Sequence, residues 1–379
     1  MSDPTINLLR DLIAIDSVNP SLVAGGAGEG EVASMVAKEM RGIGMDVEVT
    51  EVAPGRPNVV GVLEGRAQGK SLMFCGHIDT VGVEGMSSPF DPIERDGRIY
   101  GRGSGDMKAG VAAMIEAARS LVNSGGIKAG RLIVAAVVDE EYASIGAESL
   151  VKKWSADAAV VTEPTDLIVS IGHKGFSWIE IETEGRAAHG SRPLEGRDAI
   201  LRMGRVLSRL EKLDRRLQSQ TPHPVLGTPS LHGSLIDGGR EWSTYPDRCT
   251  LKMERRTIIG ESPETALNEV QEILTELSHE DSEFKGSAQL MFSRQPYETP
   301  AGHDLPQKLE SALSDIGRGA KRAGMTYWTD AAILGEAGIP SVIFGPGGAG
   351  YHGIEEYVRV EEVLACRDAL TRLANDFCA

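Results

Sequence analysis

The sequence has few cysteines, no long apolar run and a deficit of basic residues. Its four cysteines show no paired spacing, which favours reduced thiols in a cytoplasmic protein over a disulfide framework. No apolar run reaches the length of a membrane span, and the first residues lack the basic start and apolar core of a signal peptide. The 39 lysines and arginines stand against 55 aspartates and glutamates, a net charge of −16, which argues against nucleic acid and anionic membrane surfaces as partners.

The composition is that of a globular protein with room for more than one domain. Hydrophobic residues make up 41% and charged residues 25% of the 379 positions. This length is sufficient for two domains and a sizeable core.

Short apolar segments alternate with segments of helical periodicity along much of the chain. The apolar segments are bounded by turn residues and lack polar alternation, which is typical of strands buried on both faces. Such strands, alternating with helices, predict an α/β fold with a mostly parallel sheet and helices on both faces. The predicted strands are 71–76, 132–138, 158–161 and 340–344, and the predicted helices are 4–15, 29–43, 109–123, 144–153, 305–316 and 360–376.

The pattern changes in the middle of the chain. Residues 176–183 alternate apolar and polar side chains, as a half-exposed antiparallel strand does. The order of elements from there is β-α-β-β-α-β, which predicts a small split-βαβ, ferredoxin-like α+β domain. We therefore expect a smaller domain at 174–289, inserted into a larger domain formed by 1–173 and 290–379. The other elements of the insert are predicted as helix 198–212, strands near 229–236 and 249–257, helix 263–278 and a strand near 287–292.

Residues with metal-binding side chains follow the predicted strands of the parallel sheet. Because ligands bind beyond the carboxyl ends of the strands in open α/β sheets, these side chains are expected at one edge. One further carboxylate lies in a glycine-rich turn before helix 109–123, where glycines let the backbone fold tightly. Histidines and carboxylates without cysteine suit a pair of hydrolytic zinc ions, and cobalt or manganese could occupy the same N/O site. The residues are His77, Asp79, Asp106, Glu140, Glu141, Glu163 and His352.

Two other motif interpretations fail. The glycines near Gly101 could suggest a nucleotide-binding loop, but G-x-x-x-x-G-K-[ST] is absent and G-x-G-x-x-G is broken where Asp106 falls. A carboxylate at that position would also repel phosphate. No G-x-S-x-G motif supports a serine nucleophile.

Five short segments together carry a resemblance to a known family. They are Gly-His-Ile-Asp-Thr-Val at 76–81, Gly-Arg-Gly-Ser-Gly-Asp-Met-Lys-Ala-Gly at 101–110, Asp-Glu-Glu at 139–141, Thr-Glu-Pro at 162–164 and Tyr-His-Gly-Ile at 351–354. In this order the chain resembles, over nearly its whole length, the dinuclear zinc aminoacylase/carboxypeptidase family. That family includes acetylornithine deacetylases, succinyl-diaminopimelate desuccinylases, aminoacylases and glutamate carboxypeptidases.

The resemblance implies a zinc-exopeptidase-like fold and a role for each of the metal-site residues. Asp106 would bridge two zinc ions, with His77 and Glu163 completing one site and Glu141 and His352 the other. Asp79 would orient His77 by a hydrogen bond, which fixes the tautomer of a ligating imidazole. Glu140 would act as general base on a metal-bridging water.

The resemblance also implies roles for residues of the inserted domain. His189 would reach the active site of a partner subunit, which implies a homodimer. The insert 174–289 would then be a lid or dimerisation domain, and 1–173 with 290–379 the metal-binding catalytic domain. Arg256 would bind the carboxylate of the substrate, as arginine does in bidentate pairs. Ser243 stands where the family often has asparagine, so the hydrogen bond that this asparagine would make to the substrate or transition state is not predicted here. Apart from the resemblance, the glycines at 345–348, Gly347 among them, could bring backbone N–H groups close to a carboxylate.

The ligand set together with the resemblance favours a metal-dependent hydrolase that cleaves a small N-acyl amino acid, with deacetylation as the first expectation. A metallo-carboxypeptidase or dipeptidase uses the same metals and base, so short peptides remain an alternative substrate class. A catalytically silent binding protein with the same fold is a remote alternative, because it would need a broken ligand set or a missing base.

Overall fold

A computed structural model describes residues 3–379, which divide into two compact units. The first unit runs to Ile171 and resumes at Thr299–Ala323 and Thr329–Ala379. The second comprises Gly172–Glu298 and Gly324–Trp328. The insert thus extends beyond the predicted 174–289, because its last long strand continues to Arg294 and a short segment near 324–328 packs with it. The first two residues of the predicted catalytic domain lie outside the described part.

The first unit alternates strands and helices as the sequence predicts. Up to the second unit, the chain forms α1 Pro4–Ile13, α2 Gly30–Ile43, β1 Asp46–Ala53, β2 Arg56–Glu64, β3 Ser71–His77, β4 Ile93–Arg95, β5 Arg98–Tyr100, α3 Lys108–Asn123, β6 Arg131–Val137, α4 Ile145–Leu150, β7 Ala158–Val161 and β8 Val169–His173. The second unit continues with β9 Gly175–Glu184, α5 Ala199–Gln218, β10 Ser230–Gly238, β11 Arg248–Thr257, α6 Pro263–Glu280, β12 Gly286–Arg294 and β13 Tyr297–Glu298. The chain ends with α7 Leu305–Asp315, β14 Arg322–Met325, α8 Ala331–Glu336, β15 Ser341–Ile343, β16 Gly348–Ala349, β17 Tyr357–Arg359 and α9 Val360–Phe377.

The central sheet of the first unit confirms the predicted mostly parallel arrangement. Its strands lie in the order β1-β2-β6-β3-β7-β15, and the contacts among β6, β3, β7 and β15 are parallel. Nearly every residue of β3, β6 and β7 is buried, which explains their lack of polar alternation. The antiparallel edge pair β1 and β2 was not predicted, because the mixed polar pattern of β1 leaves it half exposed.

Close packing of helix α3 on the sheet brings the glycine-rich turn before it to the sheet edge. A side chain at Gly110 would place its Cβ 2.0 Å from the main-chain oxygen of Thr162, so only glycine permits this approach. The opposite face of α3 packs against α1 and α9 within one large hydrophobic core.

The second unit has the predicted β-α-β-β-α-β order. Its antiparallel sheet runs β10-β11-β9-β12, and α5 and α6 cover one face. The start of α5 is capped by Asp198, whose side chain accepts the N–H of Leu201 at 2.9 Å. Among residues 3–379, no helix is both long and apolar enough to cross a bilayer.

Lys108, at the start of α3, holds the end of α1 through an unusual buried contact. Its side chain is fully buried, and Nζ donates to the main-chain oxygens of Leu12 at 2.9 Å and Ile15 at 2.8 Å. Buried carbonyl groups need a donor, so this side chain serves as an internal cap for α1.

We expect Lys108→Met to destabilise the protein by about 1–3 kcal/mol, because both carbonyl groups would lose the charged ammonium donor while the side-chain volume is kept. Urea unfolding followed by circular dichroism measures this change. Lys38→Met, on the exposed face of α2, is the control and should leave the unfolding midpoint unchanged. Equal midpoints for the two variants would contradict the capping role.

Candidate metal centre

Most of the candidate ligands lie at the carboxyl ends of adjacent sheet strands. His77 is the last residue of β3, Glu140 and Glu141 follow β6, and Glu163 follows β7. His352 lies in the loop between β16 and β17 rather than directly after β15. The ligands therefore come from rigid strand ends, from the loop of His352 and from the glycine-rich turn of Asp106.

Asp106 directs its two carboxylate oxygens toward different histidines. Oδ1 lies 3.1 Å from Nε2 of His77, and Oδ2 lies 3.3 Å from Nε2 of His352. Nε2 of His77 is also 3.7 Å from Oε1 of Glu163, and Nε2 of His352 is 3.1 Å from Oε2 of Glu141. A carboxylate placed in this way can share its oxygens between two cations.

The candidate ligands therefore form two overlapping sets. The first ligand group is His77, Asp106 and Glu163, and the second ligand group is Asp106, Glu141 and His352. In each group one ligand atom from every residue lies within 4.8 Å of the others. Asp106 belongs to both, which is the arrangement that the family resemblance implies for a bridging residue.

Asp79 connects the histidine at the end of β3 to the turn that carries the two glutamates. Its Oδ1 accepts the main-chain N–H of Glu140 at 3.1 Å, and its Oδ2 accepts that of Glu141 at 3.1 Å. Nδ1 of His77 lies 3.0 Å from the main-chain oxygen of Asp79 and 3.5 Å from its Oδ1. The hydrogen bond that orients the imidazole thus goes to the backbone of Asp79, while its carboxylate holds the turn.

The turn after β6 allows two adjacent glutamates to reach one site. Asp139 adopts a left-handed conformation with φ 70°, which breaks the strand alternation before Glu140. The turn is held by Asn19, whose Nδ2 donates to Oδ2 of Asp79 at 2.8 Å and to Oδ1 of Asp139 at 3.0 Å. Arg56 adds a buried ion pair to Asp139 at 2.8 Å.

The site concentrates negative charge in a buried volume. Burial and the neighbouring Glu163 carboxylate raise the pKa of Glu140 well above its ordinary value. Burial and Asp106 raise the pKa of Glu141 to about 7. Burial opposes ionisation of Asp106 as well, but hydrogen bonds to His352 and His77 hold its pKa below the usual range. A divalent cation would favour the ionised form of every carboxylate here.

The donor set fits divalent metal ions. Oε1 of Glu141 is buried and, among the described residues, has no hydrogen-bond partner. Buried acceptors are normally satisfied, so this oxygen is available to a cation. Nitrogen and oxygen donors from two histidines and three carboxylates match the ligands of dinuclear hydrolase sites.

Two of the residues proposed for the insert are neighbours within the second unit. His189 forms an isolated bridge with Thr244, and the N–H of Gly190 donates to the main-chain oxygen of Ser243 at 2.7 Å. The ring of His189 is exposed, with Nδ1 2.8 Å from Oγ of Ser191. The loop carrying His189 and the position of the family asparagine are thus joined by backbone hydrogen bonds.

The neighbouring arginines of β11 have different surroundings. The side chain of Arg255 is 1% exposed and makes ion pairs with Glu261 and Glu269. The side chain of Arg256 is 30% exposed, bonds to Glu254 through Nε, and lies 5.6 Å from the ring centroid of Phe176. Of the two, only Arg256 presents an accessible guanidinium.

Gly347 differs from expectation. Its N–H donates to Oε2 of Glu362 at 2.8 Å, so this donor is already used within the protein. A Cβ at this position would also lie 1.8 Å from Oδ1 of Asp166, which shows that the glycine serves close packing. Gly347 is therefore corrected from a substrate-binding to a structural position.

Sequence reasoning missed residues that hold the ligands. Asn19 connects Asp79 and Asp139, and Glu356 binds the loop that carries Asp106. Neither has a local signal: Asn19 precedes a proline in a loop, and Glu356 is one of two adjacent glutamates. The two glutamates differ only in the folded structure, where Glu356 is 1% exposed and Glu355 lies on the surface.

Comparison with known proteins agrees with the geometry. Residues 73–376 match the model of peptidase family M20/M25/M40. An acetylornithine deacetylase from Myxococcus xanthus is 30% identical over 85% of this chain and 84% of that protein. An N-formyl-4-amino-5-aminomethyl-2-methylpyrimidine deformylase from Bacillus subtilis is 28% identical over 91% of this chain and 88% of that protein. A solved dinuclear metal binding peptidase of the M20 family from Bacillus subtilis superposes with a TM-score of 0.75, at 17% identity, over 99% of this chain and 97% of that chain.

The chain belongs to peptidase family M20/M25/M40, a family of dinuclear metallohydrolases that act on amide bonds. This confirms the family resemblance, the fold class and the enzymatic character predicted from the sequence.

We expect chelation to lower the melting temperature by roughly 3–10 °C, because a ligand that binds only the folded state stabilises it by mass action. Differential scanning fluorimetry with and without a chelator, followed by addition of zinc, measures the loss and its recovery. Asp106→Asn is the control, since a variant without the shared carboxylate should respond little to either addition. An unchanged melting temperature of chelated wild type would contradict a metal centre in both ligand groups.

Proposed function

We propose that this protein is a zinc-dependent amidohydrolase that converts a small N-acyl amino acid into a carboxylic acid and a free amino acid. The observation that carries the proposal is the position of Asp106 between His77 and His352, with Glu140 beside them. Two relatives support the acyl substrate, because the deacetylase and the deformylase are each named for removal of a small acyl group.

The first and second ligand groups would hold one zinc ion each, and cobalt or manganese would fit the same donors. When bound, such ions lower the pKa of water and stabilise negative charge on the amide oxygen.

Glu140 is proposed as the general base. Its Oε2 lies 4.0 Å from Nε2 of His77, and its main-chain N–H is fixed by Asp79. The carboxylate takes a proton from water as the water oxygen adds to the amide carbon. It then returns that proton to the nitrogen as the C–N bond breaks. A carboxylate in this role acts first as general base and then as general acid.

Arg256 and Ser243 are proposed to bind the substrate. Unlike its neighbour Arg255, Arg256 has an accessible guanidinium, which would pair with the α-carboxylate. Ser243 is exposed and offers a hydroxyl on a shorter side chain than the asparagine common in the family.

A metallo-carboxypeptidase or dipeptidase is the second candidate. The solved relative with a dinuclear site is a peptidase, and the same ligands and base would serve a peptide bond. The two activities differ in the group that occupies the acyl side of the amide.

We expect N-acetyl or N-formyl amino acids to be hydrolysed faster than N-succinyl or N-carbamoyl amino acids and dipeptides in an assay of amine release with zinc-loaded or cobalt-loaded protein. Glu140→Gln should lower kcat by roughly 10²–10⁴-fold while both metals stay bound, because proton transfer is lost and no ligand is removed. Glu272→Gln, an exposed residue of α6, is the matched control. Faster turnover of dipeptides than of all acyl amino acids would replace the deacylase by the peptidase.

We also propose a homodimer formed through the second unit. Strand β10 is at the edge of its sheet, and its side chains Leu235 and Ile236 are 66% and 56% exposed. On the same unit, Leu201 of α5 is 71% exposed. An apolar edge strand beside exposed leucine is suited to pair with its symmetry copy.

Mixed dimers test whether His189 serves the partner's active site. We expect His189→Ala and Glu140→Gln each to be nearly inactive, and their mixture after subunit exchange to recover about one quarter of wild-type activity, because half of the dimers then hold one complete site. No recovery, with exchange verified by mass spectrometry of tagged subunits, would place His189 in its own subunit's site.

Leu235→Lys should yield monomers on sizing chromatography, whereas Met291→Lys, on the opposite edge strand, should not.

A cytoplasmic location completes the proposal. The four cysteines are all free thiols and buried, as expected for a protein of a reducing compartment.

A further inference from the structure

Glu356 binds the loop that carries the shared ligand Asp106. Its side chain is 1% exposed. Oε1 accepts the main-chain N–H groups of Gly105 at 2.8 Å and Asp106 at 3.0 Å. Oε2 accepts the N–H of Gly103 at 3.1 Å and Nη1 of Arg102 at 2.6 Å. One buried carboxylate thus takes four donors from a single turn.

Arg102 extends this contact to the segment around His352. Its side chain is 3% exposed, and Nη2 donates to the main-chain oxygen of Gly353 at 2.9 Å. Its Nε donates to the main-chain oxygen of Gly82 at 3.1 Å. The main-chain N–H of Gly101 also donates to the main-chain oxygen of Glu356 at 3.2 Å.

The small sheet of β4, β5, β16 and β17 places these two loops side by side. Strand β5 pairs with β17, with Tyr100 opposite Tyr357, so the residues that follow β5 lie beside those that precede β17. A Cβ on Gly105 would lie 2.5 Å from the ring of Tyr351, which shows how closely the loops approach. The Asp106 turn and the His352 loop are therefore fixed against each other.

The two ligand groups differ in how their other members are held. His77 ends a central strand and is 1% exposed, and Glu163 follows the neighbouring central strand and is 5% exposed. His352 belongs to a loop, has φ 59° and a side chain that is 54% exposed. Ligands on rigid strands are positioned by the sheet, whereas a loop ligand depends on the contacts of its loop.

We propose that Glu356 is a positioning residue that, together with Arg102, fixes Asp106 against His352 and thereby sets the affinity of the second ligand group for its metal ion. The first ligand group is held by the sheet and depends on Glu356 only through Asp106. The proposal rests on the proposed metal centre, not on the identity of the substrate.

Glu356→Gln is the direct test, because glutamine keeps the shape of the side chain but turns an NH₂ group toward N–H donors. We expect affinity for the second equivalent of metal to fall 10–100-fold, the range for loss of a group that supports a ligand. The first equivalent should change by less than about 3-fold. Titration of metal-free protein with Co²⁺, followed by visible absorption and calorimetry, measures both equivalents without substrate.

Glu355→Gln is the matched control. Its side chain is 79% exposed and makes one long contact of 3.9 Å to Arg95, so both affinities should equal those of wild type. Activity adds a second measurement: high Co²⁺ should restore kcat of Glu356→Gln, since the defect lies in occupancy. Because bound metal also stabilises the folded state, the metal-free variant is compared with metal-free wild type by circular dichroism, and equal spectra separate a binding defect from misfolding.

Two outcomes would overturn the proposal: unchanged binding of both equivalents by Glu356→Gln, or equal weakening of both. If that variant does not fold, Arg102→Lys keeps a cation beside Glu356 but cannot bond Gly353 and Gly82 together, and the same selective loss is expected. Wild type that binds only one equivalent would instead refute the two-metal site. Normal binding with no acyl hydrolysis would refute only the proposed substrate.

Discussion

The site depends on the geometry of one carboxylate. The oxygens of Asp106 lie 3.1 Å and 3.3 Å from the imidazoles of His77 and His352, so the position of this carboxylate sets how the His352 loop is placed relative to the ligands at the strand ends. A shared ligand therefore requires a rigid support. That support comes from Glu356, which accepts the main-chain N–H of Asp106, and from the close packing of α3 at Gly110. The turn is held through its main-chain N–H groups, which donate to the carboxylate of Glu356.

The second constraint is the concentration of negative charge. Glu140, Glu141 and Glu163 are all buried enough for their pKa values to rise, so each is costly to ionise without a cation. Burial disfavours ionisation of Asp79 as well, but its contact with His77 and the N–H groups of Asn19 and Glu141 hold its pKa below the usual range. The negative charge of Asp79 is thus stabilised by hydrogen-bond donors of the protein, whereas the charge of Glu141 and Glu163 would be stabilised by bound metal ions. This division connects the fold to the proposed hydrolytic chemistry.

Prediction from sequence succeeded for the strands of the parallel sheet and for the metal-binding side chains that directly follow them. The strands 71–76, 132–138 and 158–161 were found because they are apolar on both faces, and the residues that follow them converge. It failed for β1, whose polar alternation is weak, and for Gly347, whose N–H is taken by Glu362. It also placed the end of the insert too early, because the bulged strand β12 continues past its apolar part.

The sequence by itself determined the type of donors, their order along the chain and the parallel sheet that brings them to one edge, because periodicity and strand ends are local properties. Tertiary structure alone decided which oxygen of Asp106 faces which histidine and which residues hold it. Arg102 and Glu356 are 254 positions apart, and Asn19 and Asp79 are 60 apart. Such pairs leave no periodic signal, since a hydrogen bond between distant loops depends on how the whole core packs.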